Sequence, residues 1–221
     1  MKKNILIIGY GDIGKRLTDV LDSDLYNFLL VSRNNKYNSD DFIEWDWLSK
    51  KEFVHNFEKI DVVIFFPKPS RNDESGYEDG FKNSAENLYK IIAKTSIDKF
   101  ISISSTRVYN KESESLCMEI DSIHPIDYRG KLIKQYEEKQ IALYKNKLII
   151  LRFSGLYDSQ SKEISKNHLH RDNAAKIIKF FIENNFYFKS HQIFNCSEDN
   201  PLGQISNKKI KDLGFIFKEY N

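Results

Sequence analysis

The residues of this sequence that are best suited to chemistry lie close to its start, in Gly9-Tyr-Gly-Asp-Ile-Gly14. A turn with this spacing, placed between a strand and a helix, brings backbone N–H groups and the positive end of the helix dipole to a pyrophosphate. The alternative interpretation is a tight strand-to-helix turn that binds nothing. The spacing favours a dinucleotide-binding loop, whose contacts we assign to Gly9, Gly11, Asp12, Ile13 and Gly14.

The sequence around these glycines supplies the two elements that such a loop requires. Residues 5–8 form an uninterrupted apolar run, which is typical of a buried parallel strand. After the loop, apolar side chains recur with the period of an α-helix, at Ile13, Leu17, Val20 and Leu21. Strand, loop and helix therefore follow one another in the order that phosphate binding needs.

A second candidate for ligand recognition is Ser32-Arg33, which follows the apolar run of residues 26–31. At this point of a dinucleotide-binding fold an acidic side chain binds the ribose 2′-hydroxyl, whereas an arginine accommodates a 2′-phosphate. Because residues 32–36 contain Arg33 and no acidic residue, we predict NADP as the cofactor, with NAD as the alternative. The simpler interpretation of Arg33 is a solvated loop charge.

Two further residues complete the predicted cofactor site. Asp46 follows the short apolar run of residues 42–45 and is a candidate contact for the adenine end, although an exposed strand-end carboxylate would look the same. Pro67 follows the run of residues 60–66 and ends that strand, since proline cannot continue a hydrogen-bond ladder. Open α/β sheets bind ligands at the carboxyl ends of their strands, which is where both residues lie.

Alternation of apolar runs with helical periods predicts an α/β fold, a Rossmann-type doubly wound parallel sheet. We expect one domain over residues 1–221, in which a reduced C-terminal substrate region, about 154–221, packs on the sheet. Asp172 is the expected N-cap of its helix. The expected strands cover residues 5–8, 26–31, 42–45, 60–66, 99–104, 147–153 and 192–196, and the expected later helices cover 48–57, 81–93, 129–144, 172–182 and 205–213. Loops are expected at 68–76 and 110–125.

Composition narrows the class of protein. The 221 residues include 34 basic and 32 acidic side chains, and the two signs are mixed along the chain, so we expect no nucleic-acid partner. No apolar run approaches the ~20 residues of a membrane span, so we expect no membrane association. Cys117 and Cys196 lack the spacing of a metal site, which favours reduced thiols and a cytoplasmic location.

Several motifs, in the order in which they occur along the chain, resemble the signature motifs of a known family. The glycine loop, Ser102-Ile-Ser-Ser-Thr-Arg-Val-Tyr109 and Leu151-Arg-Phe-Ser-Gly-Leu-Tyr157 resemble consecutive signatures of the extended or atypical short-chain dehydrogenase/reductase superfamily, in its nucleotide-sugar epimerase/dehydratase branch. His168-Leu-His-Arg-Asp-Asn173 and Phe194-Asn-Cys-Ser-Glu-Asp-Asn-Pro201 are similar to two later landmarks. The resemblance covers nearly the whole chain and implies an NAD(P)-binding protein.

The family's chemistry needs a tyrosine as general acid/base, a lysine four residues later, and a serine or threonine that polarises the substrate oxygen. The resemblance assigns the last role to Ser105. Gly130 and Glu137 set the register of the helix that carries the tyrosine and lysine, and they place Arg129 and Ile133 at those two positions. A guanidinium does not release a proton near neutral pH, and isoleucine has no charge.

Neighbouring residues offer alternatives to the missing pair. Tyr128 and Lys131 share a helix face and form a shifted acid/base candidate; otherwise Tyr128 packs at the helix entry. Arg129 is a candidate clamp for an anionic substrate or phosphate, or else an ordinary surface arginine. Tyr109 and Ser154 are candidate substrate contacts. The two histidines of the His168 landmark lack a third ligand, so we expect no metal.

Two functions from different classes follow. The first is an NADP-dependent oxidoreductase or an epimerase/dehydratase-like enzyme, acting on a nucleotide sugar or a small carbonyl compound with an unorthodox acid/base group. The second is a non-catalytic dinucleotide-binding regulator or partner-binding subunit. Retention of Ser105 favours the first, and loss of the tyrosine/lysine pair favours the second. A homodimer is compatible with either, since the sequence does not specify oligomeric state.

Overall fold

The computed structural model describes residues 2–49, 51, 53–55, 57–109 and 115–220. The described strands, in chain order, are β1 (Lys3–Ile8), β2 (Tyr26–Ser32), β3 (Phe42–Glu44), β4 (Lys59–Phe65), β5 (Ser96–Ser105), β6 (Leu148–Phe153), β7 (Gly155–Tyr157), β8 (His168–His170) and β9 (Gln192–Cys196). Seven of them form one sheet in the order β3-β2-β1-β4-β5-β6-β9, and β7 pairs separately with β8. Every pair is parallel. The predicted Rossmann-type doubly wound sheet is therefore confirmed.

Helices cover both faces of the sheet. They are α1 (Asp12–Val20), α2 (Glu74–Tyr77), which continues through a π-helical turn (Glu78–Asn83) into α3 (Ser84–Ile92), α4 (Tyr128–Tyr144), α5 (Arg171–Glu183) and α6 (Lys208–Asp212). Successive residues of β1 point to opposite faces: Ile5 and Ile7 pack with α1 and α5, whereas Leu6 and Ile8 belong to the core under α3 and α4.

The sheet topology identifies a candidate ligand crevice. From β1 the chain adds β2 and β3 on one side and then β4, β5, β6 and β9 on the other, so the strand order reverses between β1 and β4. In doubly wound sheets, ligands bind in the crevice beyond the carboxyl ends of the strands at such a reversal. The last residue of β1, Ile8, accepts a hydrogen bond from Phe66 N–H at 2.9 Å, and the turn at Gly9 follows directly. The predicted glycine loop therefore lies at the reversal point.

The helix predicted over residues 48–57 is wrong, because none of the described residues of that stretch is helical. Asp46 Oδ1 accepts a hydrogen bond from Leu48 N–H at 3.0 Å, and Trp45 Nε1 donates to Lys51 O at 3.0 Å. Phe53 is buried against the Trp45 ring, with centroids 5.0 Å apart. These side-chain bonds satisfy backbone groups that a helix would otherwise need, so the segment packs as an irregular crossover.

Three smaller corrections concern helix ends. α5 begins one residue earlier than predicted, because His170 Nδ1 and not Asp172 caps it, accepting from Asp172 N–H at 3.2 Å. The helix predicted at 81–93 begins at Glu74, because Asp73 Oδ1 accepts from Gly76 N–H at 2.7 Å. α6 is shorter than the predicted 205–213, since Ile205 pairs with Cys117 as an isolated β-bridge.

The expected C-terminal region contributes to the same core as the rest of the chain. β9 pairs with β6 inside the main sheet, and α5 packs along α1. Of the predicted loop 110–125, residues 110–114 lie outside the described part of the chain, and the described remainder contains no helix. No helix in the described ranges is long and apolar enough to cross a bilayer.

Candidate functional site

The glycine turn has the geometry that its spacing predicts. Gly9 has a φ of +84°, and a Cβ atom at this position would collide with Phe66 O. A Cβ atom at Gly14 would stand 2.9 Å from the Tyr10 ring and 3.6 Å from the Ile7 side chain of β1, so a larger residue would have to displace the Tyr10 ring. Gly11 is the extended residue that precedes the first turn of α1. The N–H groups of that turn therefore face the crevice.

A cavity of about 600 Å³ opens at this turn, and we call it the glycine-loop cavity. Every residue predicted to bind the cofactor lines it except Asp46. Asp46 instead accepts the hydrogen bond from Leu48 N–H that shapes the crossover. The predicted residues that line the cavity are Gly9, Gly11, Asp12, Ile13, Gly14, Ser32, Arg33 and Pro67.

Cationic side chains from the segments after β2 and β4 line this cavity. Arg33 lies over the Trp47 ring at 5.8 Å, and Lys36 lies over Tyr37 at 5.5 Å. Lys68, from the segment after β4, lines the same cavity. Stacking on an aromatic ring restrains the guanidinium and leaves its N–H groups to an anion.

Asp12 is the acidic residue that lines this cavity, and two arginines hold it. Arg171 Nη1 donates to one carboxylate oxygen at 2.9 Å, and Arg16 Nε donates to the other at 3.1 Å. Burial raises the pKa of Asp12, but the hydrogen bonds from Arg171 and Arg16 outweigh it and leave the pKa below its ordinary value. The carboxylate therefore stays ionised and ties α1 to the first turn of α5.

A second cavity, of about 390 Å³, lies beyond the ends of β5 and β6, and we call it the serine cavity. It brings together Ser105, Tyr109 and Ser154, three of the predicted catalytic and substrate-binding residues. Gly155 lines the serine cavity and Leu156 lines the glycine-loop cavity. Since neighbouring residues of a strand face opposite sides, β7 is the wall that the two cavities share.

A buried ion pair supports the wall of the serine cavity. Arg152 donates to both oxygens of Glu137, at 2.9 and 2.6 Å, and each residue is 2% exposed. Arg152 Nη1 also donates to the Tyr109 hydroxyl at 2.7 Å, and that hydroxyl is 3.0 Å from Asn195 Oδ1. Burial raises the pKa of Tyr109 more than Arg152 lowers it, so the phenol stays protonated at neutral pH.

Residues 5–157 match the sequence model of the NAD dependent epimerase/dehydratase family. The chain belongs to this family. It is also 28% identical over 125 residues to the auxiliary protein GraX of Staphylococcus aureus, an alignment that covers 52% of this chain and 41% of GraX. The chain thus spans less than half the length of that curated relative.

Solved structures share the fold along most of the chain. A putative NAD-dependent epimerase/dehydratase from Methylobacillus flagellatus is 17% identical with a TM-score of 0.76, over 98% of this chain and 93% of the other. Glucuronic acid dehydrogenase from Chromohalobacter salexigens is 14% identical with a TM-score of 0.79, over 99% and 85%. UDP-glucuronic acid 4-epimerase from Bacillus cereus, in complex with NAD, is 18% identical with a TM-score of 0.74, over 89% and 79%.

The sequence register predicts Arg129 and Ile133 at the positions of the family's tyrosine and lysine, and the structure shows the surroundings of both side chains. Ile133 is buried in the core under α4. The Arg129 guanidinium lies over the rings of Tyr77 and Tyr128, at 5.4 and 5.6 Å, and its Nε donates to the Tyr128 hydroxyl at 3.1 Å. That hydrogen bond raises the pKa of Arg129, so the side chain remains a cation.

Neither member of the proposed shifted pair lines the serine cavity. The Tyr128 hydroxyl donates to Asn72 O at 3.2 Å, and Lys131 borders a different cavity, beside residues 123–126. Ser105 Oγ accepts from Arg107 N–H at 3.2 Å, which leaves its hydroxyl hydrogen for a ligand. An acid/base role for Tyr128 and Lys131 stays a prediction.

The two landmark histidines have structural partners. His170 caps α5 and stacks on Tyr220 with ring centroids 3.7 Å apart. His168 Nε2 lies 3.7 Å from Glu198, whose carboxylate also accepts from the Tyr157 hydroxyl at 2.7 Å. Among the residues that the structure describes, no group of three or more His, Cys, Asp or Glu side chains is placed to hold a metal ion.

Sequence reasoning missed several residues that line the two cavities. Arg171 reaches the glycine-loop cavity from α5, and Lys166 and Gln204 reach the serine cavity from late segments of the chain. Arg171 belongs to the His168 landmark, which was the only signal available for it. Nothing in the spacing of Lys166 or Gln204 indicates a site.

Proposed function

We propose that this chain is an NAD(P)-dependent member of the family that binds NADP(H) in the glycine-loop cavity and a small-molecule substrate in the serine cavity. The observation that carries the proposal is the convergence of the glycine turn, Ser32, Arg33 and Pro67 on one cavity of about 600 Å³. Its volume lies within the roughly 300–1,000 Å³ that ligand sites occupy. The Bacillus cereus neighbour, which holds NAD, supports the same class of cofactor.

The charges around the cavity support NADP over NAD. Arg33, Lys36 and Lys68 supply three cations, and the carboxylate in the lining, Asp12, is already paired with two arginines. NAD recognition at this site uses a free acid that accepts from the ribose hydroxyls, whereas a 2′-phosphate needs cations. In this proposal the first turn of α1 binds the pyrophosphate, and Ser32 and Arg33 bind the phosphorylated ribose.

The serine cavity supplies the substrate side. The Ser105 hydroxyl can donate to a substrate oxygen, and Ser154 lies beside Thr106, with the two hydroxyl oxygens 3.4 Å apart. A bound nicotinamide would supply hydride transfer. Arg129 donates hydrogen bonds without releasing a proton. We therefore assign Ser105 to substrate polarisation, with Tyr109 and Ser154 as further contacts. Arg129 lines neither cavity, so its role as a clamp for an anionic group stays a prediction.

Calorimetric titration with NADPH and NADH tests the cofactor assignment. We expect NADPH to bind more tightly, and Arg33→Ala to weaken NADPH by about 10–100-fold while NADH changes little, because a charge-assisted hydrogen bond is worth roughly 1.5–3 kcal/mol. Arg71→Ala is the matched control: its guanidinium pairs with Asp73 and lies outside the cavity lining.

Two outcomes would contradict the proposal. Absence of binding by either dinucleotide at millimolar concentration would remove the cofactor site. Equal losses for NADPH and NADH in Arg33→Ala would retain a dinucleotide site but remove the preference for the 2′-phosphate.

A further inference from the structure

We propose that the serine cavity binds a free, hydroxylated small molecule of monosaccharide size with one carboxylate or phosphate group, and that Lys166 binds this anionic group. The inference rests on the proposed function, because it names the class of substrate that the second cavity takes. It goes beyond the family assignment, since the feature that selects the ligand is a lysine outside the family's motifs.

The first support is the charge of the cavity. Lys166 Nζ donates one hydrogen bond to Gln204 Oε1 at 2.6 Å, and in the described part of the chain it forms no ion pair with a carboxylate. Among the residues that the structure describes, no acidic side chain lines the cavity. The other cation in the lining, Arg107, is paired with Asp127 at 2.9 Å. An ammonium with two remaining donors and no local counter-charge favours an anion.

The second support is the distribution of neutral hydrogen-bonding groups. Ser105, Thr106 and Ser154, which carry hydroxyl groups, line the cavity. Asn167 Oδ1 accepts from Gln204 N–H at 2.7 Å, so the Asn167 amide group keeps its two N–H donors for a ligand. Several hydroxyls, one amide and one lysine that forms no ion pair among the described residues match a molecule with several hydroxyl groups and one charge.

The third support is size. At about 390 Å³ the cavity lies near the lower end of the roughly 300–1,000 Å³ range of ligand sites. Cys117 N–H donates to Gln204 O at 2.7 Å and Ser206 N–H donates to Cys117 O at 2.9 Å, so backbone pairing holds two segments of the lining together. The volume favours a monosaccharide over a sugar that carries a nucleoside diphosphate.

The test is calorimetric titration of the full chain, saturated with NADP⁺, with four probes: glucuronate, glucose 6-phosphate, glucose and UDP-glucose. We expect glucuronate or glucose 6-phosphate to bind about tenfold more tightly than glucose, the size of one charge-assisted hydrogen bond. The stronger of the two anions identifies carboxylate or phosphate as the preferred group. UDP-glucose should bind more weakly than that anion.

Substitution of the lysine locates the contact. Lys166→Met should reduce the affinity for the preferred anion to that for glucose and leave the affinity for glucose unchanged. Lys162→Met is the matched control, because Lys162 is an exposed lysine of the same segment that does not line the cavity. A loss of anion affinity in both variants would mean that general surface charge, and not Lys166, attracts the anion.

The failures of this inference and of the cofactor proposal are distinguishable. Binding of NADP⁺ with no preference for an anion over glucose, or with UDP-glucose as the tightest probe, would overturn the inference and leave the cofactor site intact. The sugar titrations are also carried out without NADP⁺. If the dinucleotide fails to bind, the cofactor proposal is overturned, and the comparison of Lys166→Met with the native protein still tests the proposed anion contact.

Discussion

Arg152 and Glu137 form an ion pair that is almost completely removed from solvent, in the wall behind the serine cavity. Such a pair contributes little net stability compared with apolar side chains of the same size, yet removal of one partner leaves a buried charge without compensation. Ser104 Oγ also donates to Glu137 Oε1, at 2.6 Å, so truncation of this glutamate frees a hydroxyl as well as a guanidinium. Replacement of one partner should therefore destabilise the fold much more than replacement of both partners by apolar side chains.

We predict that Glu137→Ala lowers the free energy of unfolding by about 3–5 kcal/mol, measured by urea denaturation. Lys139→Ala is the control on the same helix; its ion pair with Glu86 is solvent-exposed, so the expected loss is at most about 1 kcal/mol. The double variant Glu137→Met with Arg152→Met should recover most of the loss. An equal loss of unfolding free energy in Glu137→Ala and Lys139→Ala would show that burial of the Arg152–Glu137 pair does not determine the effect.

At the scale of elements, a lysine of β5 donates hydrogen bonds to the C-terminal end of α5. Lys99, in β5, donates through Nζ to Phe181 O and, at 3.3 Å, to Asn184 O. These are carbonyl groups of the last turn of α5 and its C-cap, which have no partner within the helix. Burial lowers the pKa of Lys99 to about 8, with the nearby charge of Lys3 adding to the effect.

This pKa shift predicts how stability depends on pH. The unfolded chain keeps the ordinary lysine pKa of 10.5, so between about pH 8 and pH 10.5 it binds more protons than the folded chain at this site. The contribution of Lys99 to stability therefore rises with pH across that window and is constant below it. Urea denaturation of the native protein and of Lys99→Met at pH 7 and pH 9.5 should show the native protein gaining on the variant at the higher pH. An identical difference at both values would refute the shift.

At the scale of the whole molecule, we expect a family fold with an altered reaction centre. The sequence register predicts Arg129 and Ile133 at the family's tyrosine and lysine positions, and neither side chain can transfer or tune a proton. Tyr128, the neighbouring phenol, bonds to Asn72 O away from Ser105. We predict that carbonyl reduction or sugar epimerisation by the family's tyrosine/lysine mechanism is absent, with turnover well below the ~1–10³ s⁻¹ of ordinary enzymes.

Two assays measure this prediction: NADPH oxidation with glucuronate measures carbonyl reduction, and chromatographic separation of the epimers of UDP-glucuronate measures epimerisation, which consumes no net NADPH. Arg129→Tyr combined with Ile133→Lys should create measurable activity if the site geometry is retained, and thermal unfolding of this variant checks that a lysine within the core has not unfolded it. Ordinary turnover by the native protein would refute the prediction. Tyr128 would then be the first candidate acid/base, and Tyr128→Phe should abolish the activity.

Much of this architecture is local and could be predicted from the sequence. Each strand of the main sheet corresponds to an apolar run, because strands buried on both faces need apolar side chains at every position. The glycine loop could be predicted for a similar reason: a positive φ at Gly9, together with the collision of a Cβ atom with Phe66 O, favours glycine strongly at that position. Both signals are properties of a short segment and do not depend on the rest of the chain.

The remaining features depend on contacts that sequence spacing does not encode. Arg171 meets Asp12 across 159 residues of chain, and Lys166 and Gln204 meet through the packing of two late segments. The crossover after β3 has a helix-like pattern, yet bonds from Asp46 and Trp45 hold it in an irregular path. The sequence by itself determined the seven strands of the main sheet, their order along the chain and the glycine loop, because backbone geometry and apolar periodicity act locally; β7 and β8 were not predicted. Only the tertiary structure decided which charges face the two cavities, because a side chain from any part of the chain can reach a site once the sheet is assembled.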